Sequence, residues 1–336
     1  MTIPRRVLLS AAAITPGLLA TSAARADPAA DAHAGANAHN DAHADADADE
    51  RRDARREFRG ALADLETAHD ARIGVSARVV GDSRALTHRG RERFALASTG
   101  KVLTSALVLR EASEERLQQI IRFTAEDLEE YSPVTAEHVD EGMRLIDLVD
   151  AALTRSDNTA QNLLFRELGG PLAVQRRLRH LGDPVTRIDR TEPELNTAIP
   201  GDARDTTTPV QMAADLELAT LGHGHGHGHG HGLGLGLGLG LGRSALGRDR
   251  SAQLLAMMRA NTTGDAAIRA GVPSSWTVAD KTGAGGYGTS NDIAVITRPH
   301  AAPLVLAVYT TGRTEDAELP ADLIAQVTRH VVDALD

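Results

Sequence analysis

The strand-like segments of this chain lie at its two ends, and that placement limits the fold more than any other feature. Near the start, Ile73 to Val80 alternates well enough for a strand, and a shorter one around Ala85 to His88 follows the Gly81-Asp82-Ser83 turn. In the last third, Trp276 to Asp280, Asp292 to Thr297 and Leu304 to Thr310 read as strands, and Leu319 to Leu335 reads as an amphipathic closing helix. The middle is helical in its spacing. Strands at both ends with helices between them suggest a fold of α/β class (α+β type), with one antiparallel sheet formed from both chain ends and flanked by helices. An all-helical domain is inserted in the middle. On this reading residues 57–90 and 262–336 make the α/β domain, and residues 91–261 make the helical one.

Helical spacing begins with Phe58, Leu62 and Leu65 and recurs after Ser98, over Leu145 to Leu153, over Thr159 to Leu168 and near Ser251 to Asn261. With 42% hydrophobic residues in 336, a substantial core can form, and with 2% aromatics its filling is aliphatic. A net charge of −10 argues against general nucleic-acid binding, because no cationic excess is available to neutralise phosphates. The absence of cysteine excludes disulfides and thiolate metal sites.

Residues 1–26 read as an export signal. Arg5-Arg6 lead into an Ala/Leu-rich run that ends at Ala24-Arg25-Ala26, and the paired arginines hint at twin-arginine export. The apolar stretch, interrupted by Pro16, is too short for a stable membrane anchor. The expected location is therefore secreted or periplasmic, after cleavage near Ala26. Residues 27–56 follow as an Ala/Asp/His tail, too poor in apolar side chains to order itself. Residues 222–242 alternate Gly with His and then Gly with Leu, a low-complexity insertion whose glycine content works against fixed metal-ligand geometry.

Lysine usage points to the chemistry. Among 36 lysines and arginines only Lys101 and Lys281 are lysines. Arginine stays protonated in a protein, whereas a partly buried lysine can be brought low enough in pKa to accept a proton. Lys101 closes the pattern Ser98-Thr99-Gly100-Lys101, and in a helix opening near Ser98 its amine lies beside the serine hydroxyl. That sets a nucleophile next to a possible base. Downstream come Ser156-Asp157-Asn158, then the long charged loop 187–205 with Glu192 and, one helical turn on, Asn196, and finally Lys281-Thr282-Gly283. Arg190 and Asp205 could pair to close the neck of that loop.

In this order and at these separations the four elements resemble class A serine β-lactamases, within the superfamily of penicillin-binding proteins, from about residue 57 to the end. The resemblance implies that Ser98 attacks the β-lactam carbonyl and that its proton passes to Lys101 or, through a water, to Glu192. Ser156, near Lys281, relays a proton to the departing nitrogen. Asn158 holds the substrate's side-chain amide while Asp157 braces the loop, and the Ser98 and Ala284 amides form an oxyanion hole worth about 3 kcal/mol per donor. Tyr131 stands at the cleft mouth. Glu192 and Asn196 orient the water that releases the acyl-enzyme, a step penicillin-binding proteins lack. The implied protein is a cofactor-free, metal-free monomer that hydrolyses penicillins and early cephalosporins.

The chain departs from that pattern. The substrate carboxylate usually meets an arginine at the position of Ser290 or of Ala267, and neither is arginine here. The remaining choices are Thr282, Lys281 and Thr289 together, Arg269 reaching in, or a low affinity. Two rival readings are a penicillin-binding receptor or peptidase that acylates without turnover, and a histidine-rich metal-binding protein on a degenerate scaffold.

Overall fold

Both ends of the chain meet in one sheet. In the computed structural model, which describes residues 52–82, 85–221 and 245–335, the strands in chain order are β1 (Arg72–Val79), β2 (Ala85–His88), β3 (Phe94–Ala95), β4 (Ile120–Ile121), β5 (Met143–Arg144), β6 (Thr206–Thr207), β7 (Thr277–Gly285), β8 (Thr289–Thr297) and β9 (Leu304–Thr311). Five of them form an antiparallel sheet of order β2-β1-β9-β8-β7. β1 pairs with β9 from Arg72 opposite Thr311 to Val79 opposite Leu304. β7 is therefore an outer strand with one backbone edge free, and it carries Lys281, Thr282 and Gly283. Two short ladders, β3 with β6 and β4 with β5, tie down loops of the helical part.

The helices are α1 (52–69), α2 (Lys101–Glu111), α3 (Glu114–Gln118), α4 (Leu145–Thr154), α5 (Asn158–Leu168), α6 (Pro171–His180), α7 (Pro209–Thr220), α8 (Arg248–Arg259), α9 (Ile268–Gly271) and α10 (Leu323–Asp333). Local chemistry sets several ends. Asp157 caps α5 by accepting from the Ala160 amide, and Thr208 caps α7 by accepting from Gln211. α6 and α7 open on proline, whose missing N–H costs nothing in a first turn. α5 stops at Gly169, which takes the left-handed conformation at φ 85°.

Both sheet faces are covered, which explains why β9 is an almost unbroken apolar run. On one face Val75, Ala77, Leu306 and Val308 pack with Phe58 and Leu62 of α1 and with Val327 and Val331 of α10. On the other, Ile293, Val305, Ala307 and Tyr309 share a core with Leu107, Leu148, Leu164, Met212 and Leu254 of the inserted helices. The helical part and the sheet thus bury one interface in common, and Asp53 onward forms one compact unit. Each such leucine contributes about 1.5–3 kcal/mol.

Local readings change in three places. Residues 52–56, assigned to the tail on composition, are helical and carry an Arg56–Asp53 ion pair at 3.1 Å. The closing helix starts at Leu323, because Pro320 holds Leu319 out of helical geometry. Trp276 belongs to a turn, its amide donating to the Pro273 carbonyl at 2.9 Å, and the strand runs from Thr277 on to Gly285. The export segment, residues 27–51, Ser83 in its turn and the Gly-His/Gly-Leu repeat lie outside the described residues. Among the described residues no helix is long and apolar enough to cross a membrane.

Candidate active site

Ser98 stands in a 3-10 turn, Ala97–Gly100, that runs straight into α2, so Lys101 is the first residue of that helix. The turn is entered through Ala97 at φ 44°, a conformation that costs a non-glycine residue about 1–3 kcal/mol and that the packing around it must hold. Lys101 is 1% exposed. Its Nζ donates to Ser98 Oγ at 2.9 Å, to Asn158 Oδ1 at 2.6 Å and to the Ser156 carbonyl at 2.7 Å, and it lies 3.4 Å from Ser156 Oγ. Glu192 Oε1 is 3.0 Å away as an ion pair without hydrogen-bond alignment. Burial lowers the Lys101 pKa, and the charge of Glu192 opposes that shift.

The loop 187–205 delivers Glu192. Arg190 Nε donates to Asp205 Oδ2 at 2.6 Å, while Asp205 Oδ1 accepts from the Asp189 and Arg190 amides at 2.7 and 3.0 Å, closing the neck. Residues Glu194–Asn196 wind into a 3-10 turn, and Asn196 Nδ2 donates to Glu192 Oε2 at 2.5 Å. Asn162 of α5 brackets the backbone, its Oδ1 accepting from Glu192 N and its Nδ2 donating to Glu192 O, both at 2.9 Å. Asn162 is a positioning residue that sequence reasoning missed.

Asp157 braces the opposite wall. Its Oδ2 accepts from the Val134 and Thr135 amides, both at 2.9 Å, and its Oδ1 from Thr135 Oγ1 and the Ala160 amide, both at 2.8 Å. This fixes the loop that presents Tyr131, which is 59% exposed and whose carbonyl accepts from the Asn158 amide at 3.1 Å. Asn158 Nδ2 donates to the Glu130 carbonyl at 2.8 Å.

Gly283 brings β7 against the serine. A Cβ there would stand 3.0 Å from the Ser98 and Thr99 amides, tighter than an ordinary contact, so glycine eases this approach. Lys281 is fully buried, and desolvation, reinforced by the charge of Lys101, brings its pKa down to about 7. Its Nζ donates to the Thr282 carbonyl at 2.9 Å, and no hydrogen bond joins it to Ser156. Thr282 Oγ1 meets Thr263 Oγ1, a neighbour the sequence did not single out. Ala284, opposite Ser290, follows on the exposed end of β7.

Two residues expected near the carboxylate differ in their surroundings. Thr289 lies opposite Gly285, which by strand alternation puts it on the face of Lys281, Gly283 and Asn291 and away from Thr282, Ser290 and Asp292. Its hydroxyl donates to Thr311 Oγ1 at 3.4 Å. Arg269 does not reach in, because its Nε is held by Asp280 at 2.6 Å and its Nη2 by the Arg259 carbonyl at 3.0 Å. No group of three or more His, Asp or Glu is placed to hold a metal ion among the described residues.

A hydroxyl, two buried amines and a buried carboxylate thus converge, with backbone amides beside the hydroxyl; such a site can run acyl transfer followed by hydrolysis. The Beta-lactamase family model matches residues 62–329. A β-lactamase of Bacillus amyloliquefaciens is 45% identical over 271 residues, covering 81% of this chain and 82% of its own length. β-Lactamase AST-1 of Nocardia asteroides is 46% identical over 275 residues, with the same shares. Among solved structures, an ancestral class A β-lactamase superimposes with a TM-score of 0.72 at 46% identity, covering 82% of this chain and 99% of that one. A β-lactamase from Desulfarculus baarsii gives a TM-score of 0.76 at 40% identity, covering 84% and 98%. Fold, site and relatives agree, and the chain belongs to the β-lactamase family as a class A enzyme, a hydrolase of β-lactam antibiotics.

Proposed function

We propose that this enzyme hydrolyses penicillins, and early cephalosporins beside them, through an acyl-serine intermediate. The observation that carries the proposal is the line of contacts from Ser98 Oγ to Lys101 Nζ at 2.9 Å and from there to Glu192 Oε1 at 3.0 Å. Ser98 attacks the lactam carbonyl, and its proton leaves along this line, to Lys101 directly or to Glu192 through a water. The developing oxyanion is met by the amides of Ser98 and of Ala284 on the free edge of β7. Ser156 Oγ, 3.4 Å from Lys101 Nζ, passes a proton to the departing nitrogen. In the second half, Glu192 Oε1 and Asn196 Oδ1, both buried without a hydrogen-bond partner among the described residues, offer acceptors to an attacking water. Lys281 and Thr282 hold the substrate carboxylate without an arginine. Tyr131 and Asn158 border its side chain. The enzyme acts outside the cytoplasm once residues 1–26 are removed, which N-terminal sequencing of exported protein checks.

Mass spectrometry after mixing with benzylpenicillin tests the mechanism. Wild type should hydrolyse it with no lasting adduct, Glu192→Ala should accumulate an adduct on Ser98, and Ser98→Ala should do neither. Full activity of Ser98→Ala, or a persistent adduct on wild type, would overturn it.

A further inference from the structure

A cavity of about 670 Å³ lies apart from Ser98 and both lysines. Its walls are the start of β1, the turn between β2 and β3, the second half of the 187–205 loop and the segment after β9. Six arginines line it, Arg72, Arg89, Arg93, Arg190, Arg204 and Arg313, against two lining carboxylates, Glu92 and Asp202. Five of them are paired, Arg72 with Glu92, Arg89 with Glu66, Arg190 with Asp205, Arg204 with Asp202 and Arg313 with Asp70, so among the described residues the excess positive charge is that of Arg93.

Several of these guanidiniums hold hydrogen-bonding capacity in reserve. Arg190 meets Asp205, and Arg313 meets Asp70 at 2.7 Å, each through Nε. Arg204 grips Asp202 through Nε and Nη2. Their carboxylates occupy one edge of each plane, and other N–H groups remain without a protein acceptor among the described residues. Arg93 differs again. It donates to Thr206 Oγ1 and to the Val185 carbonyl, both at 3.0 Å, and no carboxylate lies within ion-pair distance of it among the described residues. Neutral acceptors satisfy its hydrogen bonds and leave its charge uncancelled.

A guanidinium fork matches the paired oxygens of phosphate and carboxylate, and a cavity of several hundred Å³ suits a small organic ligand better than a single ion. We propose that this cavity binds a small polyanion bearing phosphate or carboxylate groups, with Arg93 as its uncompensated cation and Arg190, Arg204 and Arg313 as further donors. Because Ala198 to Arg204 form one wall, the bound anion would link the loop that carries Glu192 and Asn196 to the segment after β9. It would stabilise the folded state by mass action.

Calorimetric titration of the full chain with tripolyphosphate and, separately, citrate tests the proposal without any β-lactam. The expected result is saturable one-to-one binding of at least one probe, weakening as salt rises. Arg93→Gln or Arg313→Gln should weaken it at least fivefold, with hydrolysis of a chromogenic cephalosporin unchanged in Arg313→Gln. Preference between the probes tells phosphate from carboxylate recognition. Arg313 is largely exposed, so Arg313→Gln keeps the test valid should Arg93→Gln fail to fold. No saturable binding of either probe at millimolar concentration, or affinities untouched in both folded variants, would overturn it.

Discussion

Replacing Asp205 by asparagine isolates what the loop's neck does. Asp205 is 1% exposed; it accepts two backbone amides on Oδ1 and Arg190 Nε on Oδ2. Asparagine has the same shape and can keep the amide contacts through its own oxygen, but it then presents an NH₂ to a guanidinium. A hydrogen bond to a charged group is worth about 1.5–3 kcal/mol, and leaving one member of a fully buried pair alone costs about 3–5 kcal/mol. The Arg190 side chain keeps 19% of its surface in water, so solvent recovers part of that cost and the expected loss is about 2 kcal/mol. For a domain of this size that lowers Tm by about 3–4 °C. The kinetic effect should be one-sided. Ser98 and Lys101 sit on α2 and its entry turn, outside the loop, so with Lys101 as the base acylation by penicillin proceeds. Glu192 loses its fixed distance from Lys101, so deacylation slows and an adduct builds up. Differential scanning fluorimetry and time-resolved mass spectrometry measure the two effects. Wild-type Tm together with adduct-free turnover would show that the neck does not position Glu192.

Three other perturbations separate the remaining roles. Lys101→Arg keeps the charge but cannot release a proton and does not fit a site 1% exposed, so kcat/KM should fall by about 10²–10⁴, read by stopped-flow acylation. Gly283→Ala drives a Cβ to 3.0 Å from two backbone amides that cannot swing aside; we expect about 1–3 kcal/mol of lost stability and a slower acylation step, measured by urea melts and burst kinetics. Lys281 titrates at about 7 in the fold against 10.5 ordinarily, so between those values the unfolded chain binds the extra proton. This group therefore makes stability rise as pH climbs from about 7, by at most about 1.4 kcal/mol per pH unit. Urea melts on either side of about pH 8 should show a shallower slope in Lys281→Met, and an unchanged slope would mean the amine is not depressed.

The sheet was legible because burial on two faces writes itself into sequence as apolar runs, and the runs at both ends share one sheet through the pairing of β1 with β9. The loop was legible through spacing in its outcome, since Asn196 Nδ2 does meet Glu192 Oε2, although only Glu194–Asn196 is wound, as a 3-10 turn. What stayed hidden rests on contacts with no period. Asn162 holds the Glu192 backbone across thirty residues, and Thr263 meets Thr282 across nineteen, so neither pairing has a local signature. The face that Thr289 takes was hidden for a different reason: it shares the side of Lys281 and not of Thr282, and that parity is set by strand pairing, which one strand alone does not reveal.

The lysine count is where sequence and geometry explain each other most directly. Lys101 and Lys281 are 1% and 0% exposed, in a chain whose other side-chain cations are all arginine. A guanidinium is a planar fork that fits two parallel oxygens and keeps its proton. Around Lys101 the acceptors are Ser98 Oγ, Asn158 Oδ1, the Ser156 carbonyl and, as counter-ion, Glu192, four oxygens from three segments of chain. They surround a point instead of facing a plane. Only a compact ammonium can sit at that point, and only an amine can be brought by burial to give its proton up. At the neck the demand is different, since Arg190 meets Asp205 through Nε alone and supplies a charge that stays fixed. Exchanging the two cation types, Lys101→Arg and Arg190→Lys, should therefore damage different steps, acylation in the first and deacylation in the second.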